Sequence, residues 1–195
     1  MPIPQPSVQD PNDDKLRELV IYIALLSEGD RPFGKVKLNK LLFYIDFKAY
    51  LRFGKSVTGH EYQKLPAGPA PRRLLPIVPS LAVPPGADRA IGVRENDYYG
   101  KKQYRPFALR MPDVTLFDSA EIELIHHVVE YFLGKSAREV SDKSHRFIEW
   151  KLAEKGETIP YQTALIGFRQ PTDDERQYGQ RLKSRANAVL AAEVA

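Results

Sequence analysis

Residues 36–53 read VKLNKLLFYIDFKAYLRF, and this run decides the fold. Leu38, Leu41, Leu42, Phe43, Tyr44, Ile45, Phe47, Ala49, Tyr50, Leu51 and Phe53 leave almost no polar side on a helix. A helix that is apolar all round has to be covered on every side, so this one is expected to be the buried axis of a compact helical domain. At 1.5 Å per residue it spans roughly 27 Å. Lys40 and Asp46 interrupt the run. They are six residues apart, on different faces, so each must find a partner elsewhere to offset the cost of burial. For Asp46 the partner is expected to be a Lys, Arg, Tyr or His of another element, His145 being one candidate. Gly54 is placed to end the helix in the left-handed conformation.

Upstream, a helix is expected to begin near Asp13 or Asp14. Leu16, Leu19, Val20, Ile23 and Leu26 give it one apolar stripe, and Gly29 stops it. Residues 1–13 carry four prolines and read as a disordered tail. Downstream, residues 59–86 hold seven prolines, so the reading there is loop, with only a short helix near 72–75. Residues 88–110 read as a hairpin with turn chemistry at Asn96, Asp97 and Gly100, and with Pro106 confined to an edge. Asp118 with Glu121, and Ser136 with Glu139, are capping-box pairs that each open a helix. Ser141 or Asp142 is expected to cap a further helix carrying His145 and Trp150. A last amphipathic helix is expected over 171–195. The organisation is thus a tail (1–13), one domain (14–170) that includes the hairpin, and a C-terminal helix. The fold class is mainly α (α+β), with a small β-hairpin insertion.

Charge is unevenly spread. Residues 31–110 hold sixteen Lys and Arg against five Asp and Glu, whereas the remainder holds thirteen against twenty, within an overall charge of +4. Two readings follow: a basic surface facing an anionic partner, or a basic middle lying against the chain's own acidic flanks. The absence of cysteine removes disulfides and thiolate chemistry. No apolar run reaches the roughly 18 residues that cross a bilayer. The N-terminus lacks the pattern of a signal peptide, so a cytoplasmic protein without membrane contact is expected.

The residues offer little catalytic chemistry. His126 and His127 are adjacent and diverge on a helix, His60 and His145 are isolated, and no metal is expected. Phosphate-binding glycine motifs and the serine elbow are missing, so neither cofactor nor enzyme activity is expected. A His145–Glu149 acid/base pair is more simply a helical contact. Tyr98, Tyr99, Lys101, Lys102, Tyr104 and Arg105 interleave rings and cations, as a base-stacking platform does and as an ordinary exposed hairpin also does.

Two blocks, residues 35–74 and 116–150, together resemble the Panacea domain, the SocA-like antitoxin domain. The resemblance rests on Lys37, Leu38, Lys40, Leu41, Leu42 and Phe43, then Asp46, Gly54, Thr58, Gly59, Tyr62, Gly68 and Pro69, then Glu121, Ser141, Ser144, His145 and Trp150. The chain departs from the family pattern at Ala67, where an aromatic is usual, and at Pro71, Pro76 and Pro79, which break the helix that usually follows. The resemblance implies an antitoxin that neutralises a cognate toxin by direct contact, or an adaptor that hands the toxin to a protease. It also implies that the setting can be a phage or prophage region, as for some members. A nucleic-acid-binding or regulatory role and an enzyme of unrecognised type stand as alternatives. The expected partner surface is the proline-rich loop plus hairpin, with Arg72, Arg73, Lys101, Lys102 and Arg105 steering an acidic partner.

Overall fold

The computed structural model describes residues 9–73, 90–147, 150, 151, 153–165, 177 and 181. Among them are four helices: α1 (Asp13–Leu26), α2 (Lys35–Phe53), α3 (Ser119–Phe132) and α4 (Ala137–Ser144). Five strands complete the α+β fold: β1 (Tyr62–Leu65), β2 (Gly68–Pro71), β3 (Ile91–Tyr98), β4 (Lys101–Ala108) and β5 (Thr158–Ile159). They form a three-stranded sheet in the order β2-β1-β5 and a separate β3-β4 ribbon.

The helix starts follow their caps. The Asn12 side chain accepts the Lys15 amide of α1 at 2.8 Å. Asp118 and Glu121 close a full capping box on α3, and Ser136 and Glu139 do so on α4. Each such cap contributes about 1 kcal/mol by satisfying amides that have no partner within the helix. Twelve of the nineteen residues of α2 are buried, and they fall on all of its faces. This follows from its composition: α1, β2, α3 and α4 all pack against it. The left-handed Gly54, with φ 74°, ends it.

Several expectations need correction. The Pro-rich segment is not all loop, because β1 and β2 pair antiparallel from Tyr62↔Pro71 to Leu65↔Gly68. Pro69 and Pro71 are tolerated because β2 is an edge strand, where a missing N–H leaves no ladder bond unmade. The ribbon turns at Tyr99 and Gly100, with φ of 52° and 73°, a two-residue turn with both residues left-handed. Asn96 and Asp97 lie inside the ladder, opposite Gln103 and Lys102. The α4 helix runs through Ser141 and Asp142, so neither caps a new helix. Ser141 Oγ instead donates to the Ala67 carbonyl at 2.9 Å. Within the expected tail, Asp13 is the first residue of α1 and the Asn12 amide donates to the Thr58 carbonyl at 2.9 Å. Most of the C-terminal helix (171–195), most of the short helix near 72–75, and Glu149 fall outside the described residues.

Two polar clamps fix the ribbon and the link between α1 and α2. Arg105 of β4 reaches across to the end of α1, donating to the carbonyls of Ser27 (2.9 Å), Glu28 (2.5 Å) and Asp30 (2.7 Å). α1 has no basic residue in its last turn, and Arg105 supplies the missing charge from another element. Buried Asp30 accepts from Lys37 Nζ and, at 3.0 Å, from the Gly134 amide just past α3. Among the described residues no helix is long and apolar enough to cross a membrane.

Candidate partner-binding surface

Two buried charges on α2, Asp46 and Lys40, are each held by an internal partner. Asp46, fully buried on α2, accepts four hydrogen bonds: the Val57 and Thr58 amides (2.8 and 2.9 Å), Thr58 Oγ1 (2.5 Å) and the Tyr62 hydroxyl (2.7 Å). Burial pushes its carboxyl above the ordinary range, and the four donated bonds pull the other way. The partner from another element is therefore Tyr62, with the loop before it, and not His145. Asp46 folds the chain after α2 back onto that helix. Gly59 completes the bend with φ +73°, where a Cβ would lie 2.5 Å from the Asp10 carbonyl.

Lys40 has a different solution. It is 1% exposed, and its ammonium donates to the Pro69 carbonyl at 2.8 Å. Burial lowers its pKa from 10.5 to about 7. Gly68 packs directly on it, with φ +97°; a Cβ there would come within 2.7 Å of Lys40 Cε and of Ser144 Oγ, and within 3.2 Å of His145 Nε2. His145 lies flat on Trp150, ring centroids 4.0 Å apart, and Lys64 Nζ stands 4.3 Å from the Trp150 centroid. Burial first, and then the Lys40 charge, lower the His145 pKa. Residues far apart in the chain thus meet at one node under β2. The node is packed rather than open, and no three residues able to hold a metal cluster together among the described residues.

The five cations expected to steer a partner do not share one role. Arg72 is held by Thr158 Oγ1 (3.1 Å) and the Gly156 carbonyl (2.6 Å), tying β2 to β5 and its approach. Arg73 pairs with Asp13 at 2.8 Å, and Arg105 holds the end of α1. Lys101 and Lys102 stand exposed at the ribbon tip, Lys102 meeting Glu95 at 2.8 Å. Tyr99 beside them is 81% exposed. Between the ribbon and the start of α2 runs a groove of about 260 Å³, lined by Pro32, Gly34, Val36, Tyr104 and Ala137 with Lys35, Lys101 and Lys102 among its walls. Sequence reasoning did not single out Val36 or Lys35 as surface residues. Neither carries a signal of its own, because only the docking of the ribbon beside α2 turns them into a wall.

A family model described as antitoxin SocA-like, Panacea domain, matches residues 38–151, more than half of the chain. The chain belongs to this antitoxin family. No curated protein and no solved structure matches it. The matched stretch of the Panacea domain starts inside α2 and ends just past Trp150, so it contains both buried nodes and the whole ribbon. In this Panacea domain, Lys40, Asp46, Tyr62, Gly68, Pro69 and Ser144 are all buried. They hold the frame, and the groove and ribbon tip form an outer face on it.

Proposed function

We propose that the chain is an antitoxin module that neutralises a cognate toxin by direct contact, and that the contact is made by the ribbon tip and the groove beside it. The observation that carries the reading is membership of the antitoxin family, joined to a division of labour in the fold. Buried Asp30, Lys37, Lys40, Asp46 and Tyr62 are engaged in internal bonds, whereas Tyr99, Lys101 and Lys102 project from a firmly rooted ribbon. Such an arrangement suits recognition by an exposed, held surface. Lys101 and Lys102 are the steering cations. Arg72, Arg73 and Arg105 contribute indirectly, by fixing the elements that carry the surface.

The experiment is co-expression with the product of the neighbouring reading frame. A toxic product whose effect disappears only with this chain, together with co-purification of the two, supports the proposal. Growth inhibition that this chain never relieves refutes it. If relief comes with loss of the toxin protein, and deleting a protease restores that protein, the chain works as an adaptor. Constant toxin levels mark neutralisation by binding alone.

A further inference from the structure

We infer that the groove between the first turn of α2 and the β3-β4 ribbon receives an acidic segment of the partner protein, with an apolar side chain seated against Val36 and Tyr104 and carboxylates over Lys35, Lys101 and Lys102. The inference deepens the proposal above and rests on its reading of the chain as a protein-binding module.

Several observations converge on this occupant. Val36 and Tyr104 are 41% and 44% exposed, and Ala137 and Pro32 extend the apolar wall between them. The groove volume of about 260 Å³ equals roughly nine waters at their liquid volume, room for one large side chain and part of a backbone. Among the described residues no acidic side chain lines it. Positive potential comes from the three lysines and also from α2, whose Gly34 N-cap provides no side-chain acceptor for the first-turn amides. The Lys102–Glu95 pair is exposed on both sides, so it contributes little and yields readily to a better-placed carboxylate.

A nucleic-acid strand fits the same face poorly. Stacking needs free ring faces. Lys35 Nζ lies 5.5 Å over the Tyr104 ring, and Tyr98 and Tyr99 meet edge to face at 4.8 Å. Arg105, the strongest candidate for a phosphate, is engaged by the end of α1. What remains is an apolar slot with a cationic rim, which matches an acidic amphipathic segment.

The test uses the full chain and a fluorescein-labelled twelve-residue peptide in which Asp and Glu surround one Phe and one Leu. Controls are the same peptide with Ser for Phe and Leu, a peptide with Lys for the acids, and a labelled oligothymidylate. Fluorescence anisotropy is expected to show binding of the first peptide alone. Val36→Asp and, separately, Lys101→Glu/Lys102→Glu should each weaken it by about tenfold or more, and Arg146→Glu, outside the groove, by less than about twofold. All four positions are at least partly exposed, so thermal melts should stay within a few degrees of wild type. The lysine pair at the ribbon tip keeps the test valid if the Val36 variant misfolds. No binding of the first peptide, equal binding by both groove variants and wild type, or preferential binding of the oligothymidylate would each overturn the inference. Neutralisation assays separate the two levels of the argument. If wild type and both groove variants protect against the toxin equally, the groove is wrong and the antitoxin reading survives. If the peptide binds in the groove but no neighbouring product is ever neutralised, the antitoxin reading fails and the groove stands.

Discussion

Replacing Lys40 with Met should change how stability depends on pH. Met keeps the length and flexibility of the side chain while removing the titrating amine and its bond to the Pro69 carbonyl. In the folded chain the amine has a pKa of about 7, against 10.5 in the unfolded one. Between those values the unfolded chain holds a proton that the native chain lacks, so raising the pH favours the fold. The cost of the buried charge is complete below pH 7 and vanishes above 10.5. It totals about 5 kcal/mol at 1.4 kcal/mol per unit, an upper-end figure for a group that relaxation would help. The ionisable group shown to feel the Lys40 charge is His145. It is held below its usual value of 6.5 and does not titrate in the window used. Urea unfolding at half-unit steps from pH 7.5 to 9.5 gives the two stability curves. Wild type minus Lys40→Met should climb by about 2–3 kcal/mol across that window. The slope is independent of how well Met packs, which shifts one curve as a whole. Parallel curves would show that the ammonium remains charged in the fold and would refute the reasoning.

Other substitutions test the rest of the frame. Asp46→Ala leaves Tyr62, Thr58 and two amides without their acceptor and should lower unfolding free energy by about 3–5 kcal/mol in urea titrations. Gly68→Ala forces a methyl against Lys40 and Ser144 at a left-handed φ, so its melting temperature should fall by several degrees, whereas Gly100→Ala, with open space around it, bears only the backbone strain and should fall less. Arg105→Ala uncovers the carbonyls of the turn that follows α1 and should cost about 1–3 kcal/mol, with faster amide exchange in that turn and in the ribbon. Association with the cognate toxin, followed by stopped flow, should slow markedly between 50 and 500 mM salt, and the salt dependence should shrink in Lys101→Glu/Lys102→Glu.

Much of the frame was legible because its signals are local. The stripe of α1, the run of α2 and the two capping boxes each lie within one element, and the structure places the starts of those helices within a residue of the expected ones. The β1-β2 pair was not legible: its strands have four residues each, and prolines at 69 and 71 argue against a strand unless its edge position is already known. The ribbon was expected, and so was Gly100 in its turn, where the Asp97 side chain accepts the Gly100 amide at 3.0 Å, but Tyr99 was not. Tyr99 adopts a left-handed φ that a non-glycine residue seldom does, so Asn96 and Asp97 seemed the better turn formers. The partner of Asp46 was narrowed to a few residue types, and the choice of Tyr62 over His145 depends on the loop geometry after α2. For Lys40 the acceptor is a backbone carbonyl, which no side-chain pattern reveals. The same blindness affected the surface. A count of basic residues between 31 and 110 treats Arg105 and Lys101 alike, although one is fastened to the carbonyls of the turn after α1 and the other is exposed.

Because Arg105 ties the base of the ribbon to the end of α1, and Asp30 ties the adjoining link to α2 and α3, the tip is presented at a set angle before any partner arrives. A pre-aimed tip loses little freedom on capture, so few contacts suffice for tight holding. Side chains at the tip can also be exchanged during evolution without loosening the joints beneath them, which lets one frame be re-aimed at a different antagonist by rewriting a handful of outer positions.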